Sequence, residues 1–330
     1  MASCTMHIES KNWVESSGRG AQHPFRRSGT ARMAELFRGS MPLPEDTDPA
    51  FRAALNHLLR HPGSMVRSRL VSRVACAYGV QAAAADDLAI ALEYFHTASL
   101  VFDDLPCMDN ATARRGAACV HVPFGEASAI LSALALINRA YALTWKTLSA
   151  CPAEVQSKAM EYLEQRLGVM GLLNGQSMDL NFARLPHDRQ TTERIAYGKT
   201  VSLIRLTLVL PAMLGCAATR ELRHLERMAS CWGLAYQMLD DLKDVLQTTE
   251  TSGKTSARDL DLGRPNIALA IGVPAAVARL GRLIHLGERM LNRLVEGRPE
   301  LAFLGDLRSN LQLELSRVLE SACEVMDSPK

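Results

Sequence analysis

Two clusters of aspartates in this sequence are spaced so that each could bind a metal ion. The first contains Asp103, Asp104 and Asp109, directly after an apolar run, with Arg114 and Arg115 a few positions further on. Carboxylates at a buried edge repel one another and are costly to desolvate, and a bound divalent cation removes both problems. Mg²⁺ prefers one or two carboxylates together with phosphate oxygens and waters. Guanidinium groups match phosphate oxygens, so this segment predicts a magnesium and phosphate site.

The second cluster contains Asp240, Asp241 and Asp244, with Gln237 three positions before the first of them. On a helix Asp240 and Asp244 lie on one face, and like charges at that spacing destabilise an isolated helix. A compensating cation is again the simplest explanation, although a solvated acidic face would also fit either cluster alone. Together the two clusters predict a divided metal site that holds one diphosphate.

The elements that carry these clusters are predicted to be helices. Apolar residues between Ala91 and Val101 form a helical stripe, and the segment from Ser128 to Trp145 is apolar on nearly all sides. We therefore predict an all-α, single-domain bundle of many helices over residues 46–330. Residues 1–45 are rich in Ser, Gly, Arg and Pro with little periodicity, which predicts a disordered N-terminal extension.

The composition excludes several classes of protein. A net charge of +2 over 330 residues gives no field that would favour nucleic acid. An uninterrupted apolar run of about 18 residues is not found, so no membrane span is predicted. The eight cysteines form no CxxC pair, which is typical of buried thiols in a reducing cytosol and predicts a cytoplasmic protein.

The motifs resemble those of the trans-isoprenyl diphosphate synthases, in particular the bacterial geranylgeranyl and farnesyl type. The segment from His96 through Arg115-Gly116 is similar to the family's first aspartate-rich motif in its DDxxxxD form, and Tyr236 to Asp244 is similar to the second. Phe124-Gly125-Glu126-Ala127, Gly175 to Leu180 and Gly198-Lys199-Thr200 also match, in the family's order, over about residues 50–295. The resemblance implies the isoprenoid synthase fold, a helical bundle around a central cavity, and a homodimer.

The resemblance also implies a role for each matching residue. The six aspartates of the two clusters would bind Mg²⁺, with about three ions per site. Lys199 and Arg114 would bind the allylic diphosphate, with Thr200 and Gln237 alongside. The positions that contact isopentenyl diphosphate in the family are matched by His96, Arg115 and Arg67. Lys254 and Arg264 lie in the loop after the second motif, where the family has a lysine that closes over the diphosphate.

The implied reaction is Mg²⁺-assisted ionisation of an allylic prenyl diphosphate, followed by attack of isopentenyl diphosphate on the cation. The family has a Gly-Gly-Lys-Arg-x-Arg-Pro segment upstream, but this chain has Ser64 and Met65 in place of the lysine and the first arginine. Arg69 or Arg73 could substitute for them. The loss favours an alternative, a terpene synthase or prenyl diphosphate lyase that acts on one allylic diphosphate. A non-catalytic partner subunit of a synthase is a second alternative.

Two small residues bear on product length. Ala98 lies five positions before Asp103, where short-chain relatives commonly have a bulky aromatic side chain, and Ser99 follows it. Small side chains here leave room for growth beyond C15. We therefore predict geranylgeranyl diphosphate (C20) as the product, with farnesyl diphosphate (C15) as the alternative.

Overall fold

The structure, a computed structural model, describes residues 24–246 and 264–327, and the side chains within residues 29–246 and 264–320. Almost all of the described residues are helical, which confirms the predicted all-α class. They divide into two compact units, with the boundary between Gln156 and Ser157. This boundary is not among the predictions from sequence, which treat residues 46–330 as one domain.

The first unit is built around one long apolar helix that ends at the first aspartate cluster. Its helices are α1 (Pro24–Gly39), α2 (Pro49–Arg60), α3 (Val66–Ala77), α4 (Ala82–Asp103) and α5 (His121–Leu148), with α6 (Ala153–Leu167) containing the boundary. A short antiparallel hairpin of β1 (Ala113–Arg114) and β2 (Ala117–Ala118) lies between α4 and α5. Helix α4 packs against α3 and α5 and is buried on most sides, from Ala85 to Val101. This packing fixes where its C-terminal aspartates emerge.

The prediction of a disordered extension over residues 1–45 is wrong for the part that the structure describes. Residues 24–39 form α1, and Met33 and Phe37, four positions apart on one face, are buried. The Phe37 ring lies 4.8 Å from that of Tyr94 on α4, and the Tyr94 hydroxyl donates to the Phe37 carbonyl at 2.6 Å. These two apolar side chains and the Tyr94 hydrogen bond hold a helix whose composition is otherwise polar. Residues 1–23 lie outside the described residues.

The second unit is arranged around the long helix that carries the second aspartate cluster. After α6 its helices are α7 (Leu172–Leu180), α8 (Arg189–Ala196), α9 (Ser202–Leu214), α10 (Thr219–Leu246), α11 (Ile267–Ile271), α12 (Val273–Gly297) and α13 (Gly305–Asp327). A π-helical turn, Tyr197–Val201, joins α8 to α9, and 3₁₀ turns lie at Phe182–Arg184 and Pro299–Leu304. Helix α10 packs against α9, α12 and α13, and most of the side chains that it buries there are apolar.

Two helical stretches, His121–Leu148 and Arg189–Leu214, are long and apolar enough to cross a membrane by length and composition alone. In their most apolar windows 39% and 72% of the residues are buried. Core helices of folded proteins pass the same test, because a buried helix is also apolar on most sides. The prediction of no membrane span rests on a stricter criterion, an unbroken apolar run.

Candidate functional site

The loop after α4 brings the first and last aspartates of the first cluster together. Asp103 is the final residue of α4, and its carbonyl accepts a hydrogen bond from the Asp109 N–H at 2.9 Å. Of the five residues between them, Pro106 and Cys107 are exposed and form the outer part of the loop. Asp103 and Asp109 are half-buried. The two additional residues of the DDxxxxD form are therefore accommodated without separating the ends of the motif.

Asp104 has a different environment from its neighbours in the cluster. It is 5% exposed, and both of its carboxylate oxygens accept from Arg114 Nε, at 2.7 and 2.9 Å, while Arg114 Nη2 lies 2.6 Å from Oδ1. Burial alone would lower the pKa of Arg114, but the hydrogen bond to Asp104 and the charges of Asp104 and Asp103 raise it. The forked contact holds the β1 arginine against the end of α4. In this structure Asp104 therefore positions Arg114.

His96 lies in the same unit, buried next to Arg67. Its Nε2 is 2.9 Å from Arg67 Nη1, and because an arginine can only donate, the imidazole proton is on Nδ1. Burial and the charges of Arg67, Arg115 and Arg114 hold the pKa of His96 well below its usual range, so the ring is neutral. His96 Nδ1, Arg67 Nε and Arg115 Nε are buried without a hydrogen-bond partner among the described residues. These three groups all carry N–H donors.

Arg115 reaches this cluster across the loop that precedes α3. Its Nη1 donates to the Pro62 carbonyl at 3.0 Å. A Cβ atom on Gly63 would lie 2.5 Å from Arg115 Cζ and would displace this guanidinium, and the φ of +78° at Gly63 favours glycine. Burial lowers the pKa of Arg115, and the charge of Glu93 opposes that effect.

The two residues that stand in place of the family's upstream lysine and arginine differ in burial. Met65 is fully buried, with a left-handed φ of 53° at the start of α3, whereas Ser64 is half-buried. Arg69 donates from Nη1 to the Thr30 hydroxyl of α1 at 2.9 Å, so this guanidinium contacts α1. The Met65 side chain is therefore part of the core.

The two residues predicted to affect product length lie on α4. Ala98 is fully buried, and Ser99 is half-buried, with its hydroxyl donating to the His96 carbonyl at 2.8 Å. Nearby on the same helix, the Phe95 ring contacts the edge of Tyr141 of α5 at 4.9 Å. Ala98 therefore lies within the apolar core of the first unit, and Ser99 lies at its edge.

In the second unit a buried carboxylate gathers two predicted phosphate-binding residues. Asp179, 8% exposed at the end of α7, accepts through Oδ2 from Lys199 Nζ at 2.7 Å and from Arg264 Nη1 at 2.8 Å. Asp179 has no role among the predictions from sequence. Its position as the single acidic residue of the apolar helix α7 is the signal that could have identified it.

A chain of hydrogen bonds links the π-helical turn to the second cluster. The Thr200 hydroxyl donates to Gln237 Oε1 at 2.7 Å, and Gln237 Nε2 donates to Asp241 Oδ1 at 2.9 Å. Asp241, 2% exposed, accepts at Oδ2 from the Ile267 N–H at 2.8 Å. Asn266, also missed from sequence, caps α11 and donates to the Asp241 carbonyl at 3.0 Å. Asp241 therefore anchors the start of α11.

The two remaining aspartates of this cluster are more accessible. Asp240 is exposed and Asp244 is half-buried, as expected for positions four apart on the outer face of α10. Among the described residues, no group of three or more His, Cys, Asp or Glu side chains is arranged to hold a metal ion. Mg²⁺ needs only one or two carboxylates where phosphate and water supply the other oxygens, so the hard oxygen donors present fit that ion. Lys254, a further predicted ligand, lies outside the described residues.

The two clusters thus share one arrangement. In each, the second aspartate is buried and accepts hydrogen bonds from other residues of the protein, whereas the first and last aspartates are more accessible. An all-helical fold with two such clusters and adjoining basic side chains defines the helical isoprenoid synthase class. The sequence matches the family model described as polyprenyl synthetase over residues 48–284. The chain belongs to this family.

Relatives and solved structures agree with that assignment. Geranylgeranyl pyrophosphate synthase 10, mitochondrial, of Arabidopsis thaliana is 34% identical over 268 residues, 79% of this chain and 77% of the relative. The chain spans 62% of the length of two further Arabidopsis relatives. An FPP/GFPP synthase of Zymomonas mobilis matches 88% of this chain and 97% of its own, with 26% identity and a TM-score of 0.73. A geranyltransferase of Helicobacter pylori, in complex with magnesium and isoprenyl diphosphate, matches 92% and 100%, with 26% identity and a TM-score of 0.72.

Proposed function

We propose that the protein is a trans-prenyltransferase that condenses an allylic diphosphate with isopentenyl diphosphate. The observation that carries this proposal is the buried cluster of Arg67, His96 and Arg115, which has three unpartnered N–H groups among the described residues. Each unsatisfied buried donor costs about 1–3 kcal/mol, and an anionic ligand would satisfy them. An enzyme that acts on a single diphosphate needs no such additional anion-binding cluster. The cluster therefore favours a two-substrate reaction.

In the first unit we assign Mg²⁺ binding to Asp103 and Asp109, which the Asp109 N–H brings together. Asp104 holds Arg114 in a forked contact that presents the remaining guanidinium N–H groups to a phosphate. The isopentenyl diphosphate is assigned to the cluster that contains Arg115. This assignment refines the prediction from sequence, in which all three aspartates bind the metal.

In the second unit we assign Mg²⁺ binding to Asp240 and Asp244, with Asp241 holding Gln237 and α11. Lys199 and Arg264 donate to diphosphate oxygens, and Asp179 keeps the two cations together before substrate binds. Thr200 contributes through its hydrogen bond to Gln237. The proposed role of Lys254 in closing over the diphosphate stays a prediction.

The chemistry requires no covalent attachment to the protein. Mg²⁺, when bound, neutralises the diphosphate and makes it a better leaving group. Lys199 and Arg264 donate hydrogen bonds to the departing diphosphate, which takes the electron pair of the broken C–O bond. The alkene of isopentenyl diphosphate forms the new C–C bond to the allylic cation, and the neighbouring carbon then loses a proton to the released diphosphate. Apolar side chains beside the first cluster, such as Leu100 and Val101, exclude water that would quench the cation.

A second candidate function is ionisation of one prenyl diphosphate without condensation, as in a terpene synthase or a diphosphate lyase. The observation that favours it is Met65, an apolar core side chain where the family has a phosphate-binding arginine. A charge-assisted hydrogen bond contributes about 1.5–3 kcal/mol, so each loss weakens a second-substrate site. A non-catalytic partner subunit is a weaker alternative, because such a protein needs neither aspartate cluster.

Product length is assigned from α4. Ala98 is fully buried and lacks the bulk that would block chain growth, and Ser99 bonds to its own helix. We assign a C20 product, with C15 as the alternative.

The assembly is assigned from α5. Leu131, Leu134, Tyr141 and Trp145 recur at helical spacing on one face of this helix and are 43–59% exposed. An apolar stripe of this length on a described helix surface is typical of an oligomer interface, and a second copy of the chain would cover it. We therefore assign a soluble homodimer in which α5 is an interface helix rather than a membrane span. The cytoplasmic location stays a prediction.

The test is a product assay on purified protein with Mg²⁺ and with a chelator. Geranyl, farnesyl and geranylgeranyl diphosphate are each supplied with and without isopentenyl diphosphate, and both hydrocarbons and phosphatase-released alcohols are identified. Longer prenyl alcohols that form only with isopentenyl diphosphate and Mg²⁺ support the proposal. A hydrocarbon or terpene alcohol formed from one allylic substrate alone would replace it with the second candidate. Absence of any product with all substrates would favour the partner-subunit alternative.

A further inference from the structure

Helix α7 and the π-helical turn meet backbone to backbone at two glycines. A Cβ atom on Gly175 would lie 2.6 Å from both Gly198 Cα and Lys199 N. A Cβ atom on Gly198 would lie 2.5 Å from Gly175 Cα and 2.9 Å from the Gly171 carbonyl oxygen. These distances are far shorter than any van der Waals contact, and the obstructing atoms are backbone. A single methyl group at either position would therefore separate the two elements.

The same two elements carry the ion pair described above. Asp179 is four positions after Gly175, so it lies on the same face of α7 one turn further on. Lys199 directly follows Gly198 and contacts Asp179 at 2.7 Å. The glycine contact and the ion pair are thus consecutive contacts between one pair of elements. The first sets the separation at which the second can form.

The π-helical turn explains how one short segment serves two neighbours. The Ser202 N–H bonds to the Tyr197 carbonyl five residues earlier, which places an additional residue in the turn. Lys199 then contacts α7, while the next residue, Thr200, contacts Gln237 of α10. Displacement of the turn away from α7 would change the position of both side chains.

We propose that Gly175 and Gly198 are positioning residues for diphosphate binding, because their backbone contact sets where Lys199 presents its ammonium group. This inference rests on the proposed function, in which Lys199 donates to a diphosphate oxygen. A hydrogen-bond donor is effective only when it is held to within fractions of an ångström. A lysine that is displaced and no longer held in place would have to be ordered when the anion binds, at a cost in rotamer entropy. The glycines act through Lys199 and do not contact the substrate themselves.

The experiment compares Gly175→Ala and Gly198→Ala with a matched control, Gly281→Ala. Gly281 lies within helix α12 and has no atom within 4 Å of an added Cβ. The dissociation constant for inorganic diphosphate with Mg²⁺ is measured by titration calorimetry, and KM for the allylic substrate is measured beside kcat. We expect each test variant to weaken diphosphate binding by about tenfold or more, and Gly281→Ala to leave it unchanged. Equal affinity in Gly198→Ala and the parent would overturn the inference.

A double-variant cycle separates positioning from a general structural defect. In a Lys199→Ala background, Gly198→Ala should cause little further loss of diphosphate affinity, because the group that it displaces is already gone. Full additivity of the two losses would overturn the inference. If Lys199→Ala alone leaves the affinity unchanged, the proposed role of Lys199 fails instead, so the two failures are distinguishable.

Should both alanine variants fail to fold, Asp179→Asn provides a second test. It keeps the glycine contact and an oxygen that accepts from Lys199, but removes the charge. We expect it to weaken diphosphate binding by less than Lys199→Ala does. An equal loss would show that the ion pair, and not the glycine contact, positions the lysine, and would overturn the inference.

Discussion

Asp179 and Lys199 are separated by 20 positions in the chain, yet the carboxylate Oδ2 and the ammonium Nζ lie 2.7 Å apart in the second unit. The same oxygen accepts from Arg264 at 2.8 Å. The two cations repel each other, and the buried carboxylate between them offsets that repulsion. The free protein holds both cations near one point, and an arriving anion needs to reorganise little.

The contact between Arg114 and Asp104 predicts that Arg114 cannot be replaced by lysine. A lysine supplies one point charge in place of the two-pronged donor, so Asp104 loses one of its contacts and the phosphate a planar partner. We expect Arg114→Lys to lower kcat/KM by about tenfold or more. Arg139→Lys is the control, since Arg139 is a half-buried arginine that bonds the Ser40 carbonyl. Wild-type kcat/KM in Arg114→Lys would contradict the proposed role.

Gly63→Ala is predicted to weaken the isopentenyl diphosphate site selectively. The added Cβ would lie 2.5 Å from Arg115 Cζ and would displace that guanidinium. Gly79→Ala is a matched control, because Gly79 also has a positive φ, +74°, but has no atom within 4 Å of an added Cβ. Both changes carry a similar backbone strain of about 1 kcal/mol. In steady-state kinetics, Gly63→Ala alone should raise KM for isopentenyl diphosphate, and neither variant should change KM for the allylic substrate. Parallel changes in the two variants would refute the proposal.

His96 is predicted to make the folded state less stable in acid. Its pKa in the folded protein lies well below the unperturbed 6.5, so as the pH falls through about 6.5 the unfolded state takes up a proton that the folded state does not. Linkage then lowers the free energy of unfolding by up to about 1.4 kcal/mol per pH unit until the folded pKa is reached.

Urea unfolding at pH 7.5 and 5.5 tests this prediction. The stability loss between the two pH values should be smaller in His96→Asn than in the parent, because the variant lacks the titrating group. The same loss in both proteins would show that other groups cause the pH dependence.

Ser64 and Met65 are predicted to respond differently to restored basic side chains. Ser64 is half-buried, so Ser64→Lys can extend its ammonium group from the surface and should lower KM for isopentenyl diphosphate by about tenfold. Met65 is fully buried, so Met65→Arg buries an unpaired charge and should lower the free energy of unfolding by about 3 kcal/mol or more. Denaturant unfolding and steady-state kinetics measure the two effects. A stable Met65→Arg variant with improved KM would contradict the buried placement.

The exposed stripe on α5 predicts a homodimer that charge will disrupt. Leu134→Glu combined with Trp145→Glu places two carboxylates in the proposed interface, and we expect a monomer by light scattering after size exclusion. Leu286→Glu is the control, because Leu286 is 42% exposed on α12 of the other unit. A parent protein that is monomeric without detergent at all concentrations would exclude the assignment.

Much of the fold and of the candidate site follows from local sequence patterns. Apolar residues at helical spacing, as in the segment that ends at Asp103, indicate helices because burial of one face requires that period. The two aspartate clusters and the family's motifs also lie in continuous segments, so a single sequence suffices to find them. Helix α1 is not predicted, since two apolar side chains are a weak signal among polar neighbours, and the contact of Asn266 with Asp241 is not predicted because it joins distant segments.

The sequence alone is enough to identify the all-helical class, the family and the positions of the carboxylates that could bind metal. The contacts of each carboxylate depend on the folded structure. Asp104 and Asp240 are similar as sequence, yet the first is buried against Arg114 and the second is exposed. Likewise, Asp179 gathers Lys199 and Arg264 from positions 20 and 85 residues away. Burial and hydrogen-bond partners are set by packing between elements that are distant in the chain, and local periodicity does not encode that packing.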